Sequence, residues 1–132
     1  MLIDQKILDE LSEQAKASPR LRKNFDLRNS PDDKSQRMLN ALEPGTDMPI
    51  HRHRNSSETV VVLRGKVLWV YYDNVGNETD RFLVAPNSDL CGISVPQGQW
   101  HSLICLESGT VIFESKDGAW EPLAPEDIME KK

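Results

Sequence analysis

The 132-residue chain reads as an all-β domain, a sandwich or barrel, preceded by one short α-helix. Two observations carry that reading. From Ser35 onward, residues alternate with period two in about eight short runs, several of them rich in Val and aromatic side chains. Turn-forming clusters of Gly, Pro, Asn and Asp separate the runs, as in sandwiches and barrels. A chain of this length buries roughly two thirds of its unfolded surface, enough for a core without staples.

The helix is expected first. Ile3, Ile7, Leu8, Leu11 and Ala15 recur at helical spacing. Asp4 is placed to cap it, with Ile3 and Leu8 positioned as a hydrophobic staple, and Ser18-Pro19 stops it. Ser35 to Leu42 is the first strand, closed by Glu43-Pro44-Gly45, and 47–53 the second. The runs 58–63 and 66–72 are separated only by Arg64-Gly65, which predicts a tight hairpin. Asp73 to Glu78 is a turn, 79–84 a strand, and Pro86-Asn87-Ser88-Asp89 another turn. Strands at 91–95, 101–106 and 110–116 complete the set. The expected organisation is a helix over 1–19, a barrel over 20–118 and a surface tail over 119–132, where Pro122, Pro125 and several charges stand.

Sixteen Lys and Arg face 21 Asp and Glu, a net charge of −5, with a pI near 5.2. That balance speaks against a nucleic-acid partner, which needs a basic face, and gives no support for docking on an anionic membrane. Cys91 and Cys105 are too few for a disulfide framework. The opening MLIDQKILDE lacks the basic-then-apolar pattern of a signal peptide, and no apolar run is long enough to span a bilayer. A cytoplasmic protein with reduced thiols is the expectation.

The chemistry concentrates in Ile50–Glu58, IHRHRNSSE, which holds two of the three histidines. In a strand His51 and His53 share a face, about 6–7 Å apart, and Arg52 and Arg54 point the other way; they could edge a pocket mouth and draw in an anion, but alternation favours a solvated face. Asn55-Ser56-Ser57 can reverse the chain, and Glu58 opens the next strand on a face continued by Val60 and Val62. The third histidine ends Pro96-Gln97-Gly98-Gln99-Trp100-His101 and opens a strand whose face continues through Leu103 and Cys105. Three imidazoles and a carboxylate suit one divalent transition metal, with Zn, Fe, Mn, Ni, Co and Cu all acceptable. Mg²⁺ or Ca²⁺ would prefer an oxygen cage.

These residues resemble the cupin superfamily. Its first motif runs Gly45, His51, His53, Glu58, Gly65, with every fixed position filled, and its second is matched by Pro96, Gly98 and His101. Leu90 and Cys105 stand where that second motif has glycine and asparagine. The resemblance implies a single-domain cupin, a double-stranded β-helix or jelly-roll barrel, with a metal on His51, His53, Glu58 and His101. A finer resemblance runs through SPRLRKNFDLR, QRMLNALEPGT, IHRHRNSSETVVVLRGKV, VPQGQWHSLICLESGTVIFESKDG and EPL. It is to the WbuC-type cupin-fold metalloproteins, small bacterial cupins associated with lipopolysaccharide and other surface-polysaccharide gene clusters. It leaves the reaction open. Cupins pair through strand edges, so the resemblance implies a homodimer.

Several side chains admit two readings. Gln36, Met38 and Asn40 share one face of their strand, and Arg37 and Leu39 the other; one set could line a cavity, or both could belong to an edge strand facing water. Glu114 and Lys116 share a face as pocket acid and base, or form a surface ion pair, the commoner case. Gln36, Arg37, Glu114 and Lys116 are the candidates for catalysis. Trp100 walls the site or packs outside, and alternation favours outside. Cys105 reads as a small buried hydrophobe, and Glu126 to Glu130 as a solvated face. Two functions follow. One is an enzyme acting by Lewis-acid activation on a small oxygen-rich anionic metabolite, as a metal-dependent isomerase or epimerase, lyase or dioxygenase; gene-cluster association points it to a sugar or sugar nucleotide. The other is a non-catalytic, metal-dependent small-molecule binding or sensor module.

Overall fold

The computed structural model describes residues 1–130. Helix α1 (Gln5–Ala17) begins where Asp4 accepts a hydrogen bond from the Ile7 amide, 3.1 Å, and ends at Ser18. Its buried face, Leu8, Leu11 and Ala15, packs with Leu39, Ala41 and Val111 on the outside of a sheet. Ten strands follow among the described residues: β1 (Arg22–Asp26), β2 (Ser35–Leu42), β3 (Ile50–His51), β4 (Glu58–Arg64), β5 (Val67–Tyr72), β6 (Glu78–Val84), β7 (Gly92–Val95), β8 (Trp100–Cys105), β9 (Thr110–Asp117) and β10 (Ile128–Met129). They form two antiparallel five-stranded sheets, ordered β1-β2-β9-β4-β7 and β10-β3-β8-β5-β6.

Period-two alternation sets the interior. Val60 and Val62 of β4, Val67 and Trp69 of β5, Leu103 and Cys105 of β8 and Ile112 of β9 point between the sheets with Leu42, Val84 and Val95. This apolar layer fills one end of the sandwich. The expected all-β fold with its N-terminal helix is present. No described helix is long and apolar enough to cross a membrane.

The hairpin expected at Arg64-Gly65 does not form. β4 pairs with β7 and β9 while β5 pairs with β6 and β8, so Gly65 is a crossover from one sheet to the other. A two-residue gap between strand-like runs looks the same in sequence for a hairpin and a sheet change. The hairpin lies one step later, β5 to β6. The strand expected over 47–53 shrinks to Ile50–His51, β1 was not anticipated, and the tail contributes a 3₁₀ turn (Pro125–Asp127) and β10. Residues 131–132 of that expected tail lie outside the described residues.

Gly65 has φ +90°, and a Cβ there would stand 2.6 Å from Thr110 Cα. Gly65→Ala should therefore cost both left-handed strain and a backbone collision, about 2–4 kcal/mol in urea denaturation. A loss under 1 kcal/mol would show that the crossover adapts.

Candidate metal centre and its cavity

The histidines meet because two antiparallel partners place them opposite each other. His51 of β3 faces His101 of β8. His53 follows where the chain leaves the ladder, and the second motif's turn clamps it there. Gly98, at φ +82°, donates its amide to the His53 carbonyl, 2.9 Å, and Gln97 Nε2 donates to the Arg54 carbonyl, 2.7 Å. Two stretches more than forty residues apart are thus stitched directly. Glu58 enters from the other sheet as the first residue of β4, opposite Val95 and Lys116.

Ring centroids of His51 and His101 are 4.4 Å apart, with His53 at 5.1 and 5.6 Å from them. One ligand nitrogen from each can be chosen so that all lie within 4.8 Å of one another. Bonds of about 2.0–2.1 Å to one ion would close that spread with small side-chain rotations. Glu58 Oε2 lies 3.1 Å from His53 Nε2 and 3.6 Å from His101 Nε2.

Backbone carbonyls settle two tautomers. His51 Nδ1 is 2.9 Å from the Pro49 oxygen and His101 Nδ1 is 2.8 Å from the Gln99 oxygen. A carbonyl oxygen only accepts, so each Nδ1 donates, and Nε2 is the nitrogen left free to meet a ligand. Burial, then the neighbouring His101, drives His51 down to about 3 against the pull of the Pro49 carbonyl, so the ring is neutral at pH 7. Burial pushes the Glu58 carboxyl up, but the facing His101 and His53 rings and the Lys116 ammonium outweigh it and hold it well below the usual carboxylate range. Glu58 is 3% exposed and His101 2%. Glu58 Oε2, His53 Nε2 and His101 Nε2 are all buried without a hydrogen-bond partner. A buried carboxylate beside ring nitrogens without hydrogen-bond partners is a setting that a bound cation would satisfy. The donor set fits a first-row transition metal.

This centre forms one wall of a cavity of about 500 Å³. Trp69 backs it, its ring stacked on His101 at 5.4 Å and 10°. The opposite sheet supplies Gln36, Met38 and Asn40 from β2, and Glu114 and Lys116 from β9. The cavity-lining face of β2 is therefore the Gln36 face. Arg37 points away, donating to the Leu27 carbonyl and Asp33, and does not line the cavity. Gln36 Nε2 donates to the Gly118 carbonyl, 2.8 Å. Glu114 and Lys116 are not a surface pair: their charged atoms stand 3.8 Å apart, with side chains 10% and 15% exposed, inside the cavity. Burial first, then repulsion from Glu58, raises Glu114 to about 7, against Lys116 and Asn40.

Arg54 is exposed, as expected of a solvated face, while Arg52 is half-buried, and both also border the cavity. Both bind Asp127, Arg52 Nε and Arg54 Nη2 each at 2.9 Å, and Arg52 also lies over the Trp100 ring at 4.6 Å. Trp100 packs outside, as alternation favours, its Nε1 donating to Asn74. Asp127 is buried rather than part of a solvated acidic face, and it anchors the strap of residues 118–123 that edges the cavity mouth. Leu90 packs against the core and Cys105 is inside it, so both departures from the second motif fill apolar positions. Sequence reasoning missed Arg22 and Trp69 as cavity residues. Arg22 lies in the polar run of β1, where no apolar alternation marks a face. Trp69 was visible only as one more large strand residue.

The two-sheet sandwich has the cupin fold. Three solved structures share it: CapF, a capsular polysaccharide assembling protein from Staphylococcus aureus (20% identity, 87% of this chain and 33% of that one, TM-score 0.67), recombinant oxalate oxidase in complex with glycolate (16%, 82% and 56%, 0.65), and the Schizosaccharomyces pombe Cnp3 cupin domain (12%, 74% and 64%, 0.59). At these identities the likeness is one of fold. The chain spans a third of CapF and about half of oxalate oxidase. Residues 3–84 match the family described as a domain of unknown function, DUF6016, and the chain belongs to it. No curated protein matches the chain.

Two outcomes follow from this geometry. The folded chain holds the Glu114 proton more tightly than the unfolded chain, whose ordinary value is 4.5. That stabilisation is complete below about pH 4.5 and is lost as pH rises through about 7. In chelator-treated protein, Glu114→Gln should gain about 1–3 kcal/mol on the unaltered chain between pH 5 and pH 8 in urea denaturation. A pH-independent difference between the two would remove the raised carboxyl. Asp127→Ala should release the strap, so that protease cleaves within 118–126 much earlier than in the unaltered chain. Unchanged cleavage would mean the arginine pairs do not hold it.

Proposed function

We propose that the protein is a metal-dependent cupin enzyme, with one divalent transition metal held by His51, His53, Glu58 and His101, acting on a small oxygen-rich anionic metabolite. The observation that carries this is the buried Glu58 carboxylate facing two imidazole nitrogens that lack partners. When bound, such an ion polarises a carbonyl or carboxylate and acidifies water. Glu114, raised to about 7, is suited to hold or release a proton near neutral pH, with Lys116 beside it to stabilise its charged form. Gln36 is fixed to the Gly118 carbonyl and stiffens that wall. These proton-handling groups opposite the metal wall favour an enzyme over a binding or sensor module. The WbuC-type resemblance supports a sugar or sugar-nucleotide intermediate of surface-polysaccharide biosynthesis, an argument by association. The likeness in fold to CapF is of the same kind.

Protein purified without added metal should carry about one transition-metal ion per chain by elemental analysis. His101→Ala should weaken metal uptake by more than about 100-fold, beyond what losing a supporting hydrogen bond costs, while the apolar core keeps the fold. Uptake unaffected by that substitution would refute the centre. Incubating loaded protein with sugar nucleotides and keto acids, with and without oxygen, then tests the enzyme reading: turnover supports it, and binding without turnover supports the sensor.

A further inference from the structure

The cavity's cations are nearly all neutralised by the protein itself. Arg52 and Arg54 share Asp127, and Lys116 faces Glu114. Arg22 is the exception. It stands on β1 opposite Leu42, whose side chain is in the inner core, so it points inward and lines the cavity. No carboxylate lies within ion-pair reach of it among the described residues. Its one hydrogen bond is the weakest kind available, Nη1 to the Met48 thioether sulfur at 3.7 Å. Its Nε is buried without a partner. A guanidinium is a planar fork of donors that matches an oxyanion, and a buried unsatisfied donor is costly unless something arrives to accept from it. Two more cavity atoms share that condition, Asn40 Oδ1, an acceptor, and Trp69 Nε1, a donor.

We infer that Arg22 selects the ligand by binding a carboxylate or phosphate that the ligand carries away from the group meeting the histidines. The ligand class is then a small molecule with a chelating hydroxy- or keto-acid end and a second, anionic end. A polar group between them is served by Asn40 and Trp69. A cavity of about 500 Å³ suits a molecule of that size. This rests on the metal reading above and adds the residue that discriminates among anions.

The test uses the full chain loaded with Co²⁺, whose visible spectrum reports both uptake of the ion and arrival of a ligand on it. Two pairs of probes share a chelating end and differ in the distal charge: 2-oxoglutarate against 2-oxopentanoate for carboxylate, and 3-phosphoglycerate against glycerate for phosphate. In at least one pair the charged member should bind about tenfold or more tightly than its partner, the scale of one charge-assisted contact. The pair showing the larger ratio identifies the oxyanion. Arg22→Met should bring that ratio close to one with Co²⁺ uptake unchanged. Arg22→Lys should restore part of it, since the charge returns without the fork. Equal affinities within both pairs, or a ratio that survives Arg22→Met, would overturn the assignment and leave the metal centre standing. A chain that takes up no Co²⁺ would overturn the metal centre, and this inference with it.

Discussion

A carboxylate taken out of water and set among imidazole nitrogens is the constraint that organises this molecule. Glu58 comes from one sheet and its facing histidines from the other side of the sandwich, so their meeting falls where the sheets are held together. Lys116 beside Glu58 favours its charged form but does not fill the space between them. The Pro49 and Gln99 carbonyls, each two residues before a histidine, hold the Nδ1 side of His51 and His101, which leaves His101 Nε2 toward the acid. A polypeptide selected only for stability would place apolar groups there. A cation held there would turn that costly arrangement into a favourable cluster.

The strands show how the interior is divided. Along each inward face, polar residues give way to apolar ones at about the same level: Glu58 to Val60 on β4, His101 to Leu103 on β8, Glu114 to Ile112 on β9, Asn40 to Leu42 on β2. The apolar half closes the sandwich and sets the depth of the cavity. The polar half stays open and is roofed by the strap. Stability and chemistry therefore occupy opposite ends of the same strands, and β4, β8 and β9 serve both.

Much of this arrangement was legible before any coordinates. The HxH pair, Glu58 and the PxGxxH turn carry their own spacing, and alternation alone put His101 inward with Leu103 and Cys105. The Asp4 cap was readable because helix capping is local. What escaped was non-local. Arg64-Gly65 looked like a hairpin because a sheet change and a reversal need the same two residues. The hold of Asp127 on Arg52 and Arg54 escaped because alternation gives direction but not what later covers that side, and Asp127 arrives from more than seventy residues away. Arg22 sits in a strand whose neighbours are nearly all polar, so no period announced its face. Lys116 and Glu114 were weighed as a surface pair because nothing in a sequence records enclosure.

The stacked pair of Trp69 and His101 gives the protein a built-in lamp. An indole 5.4 Å from an imidazole, and shielded from water, would glow according to any ion that imidazole came to hold. A closed-shell ion such as Zn²⁺ has no low-lying electronic states to drain the excitation, whereas an open-shell ion does. Trp120 is 57% exposed, whereas Trp100, though buried at 6%, packs outside under Arg52 and away from the histidines, so only Trp69 is stacked on one of them. The identity of an ion bound there would thus be written into the colour and brightness of one side chain.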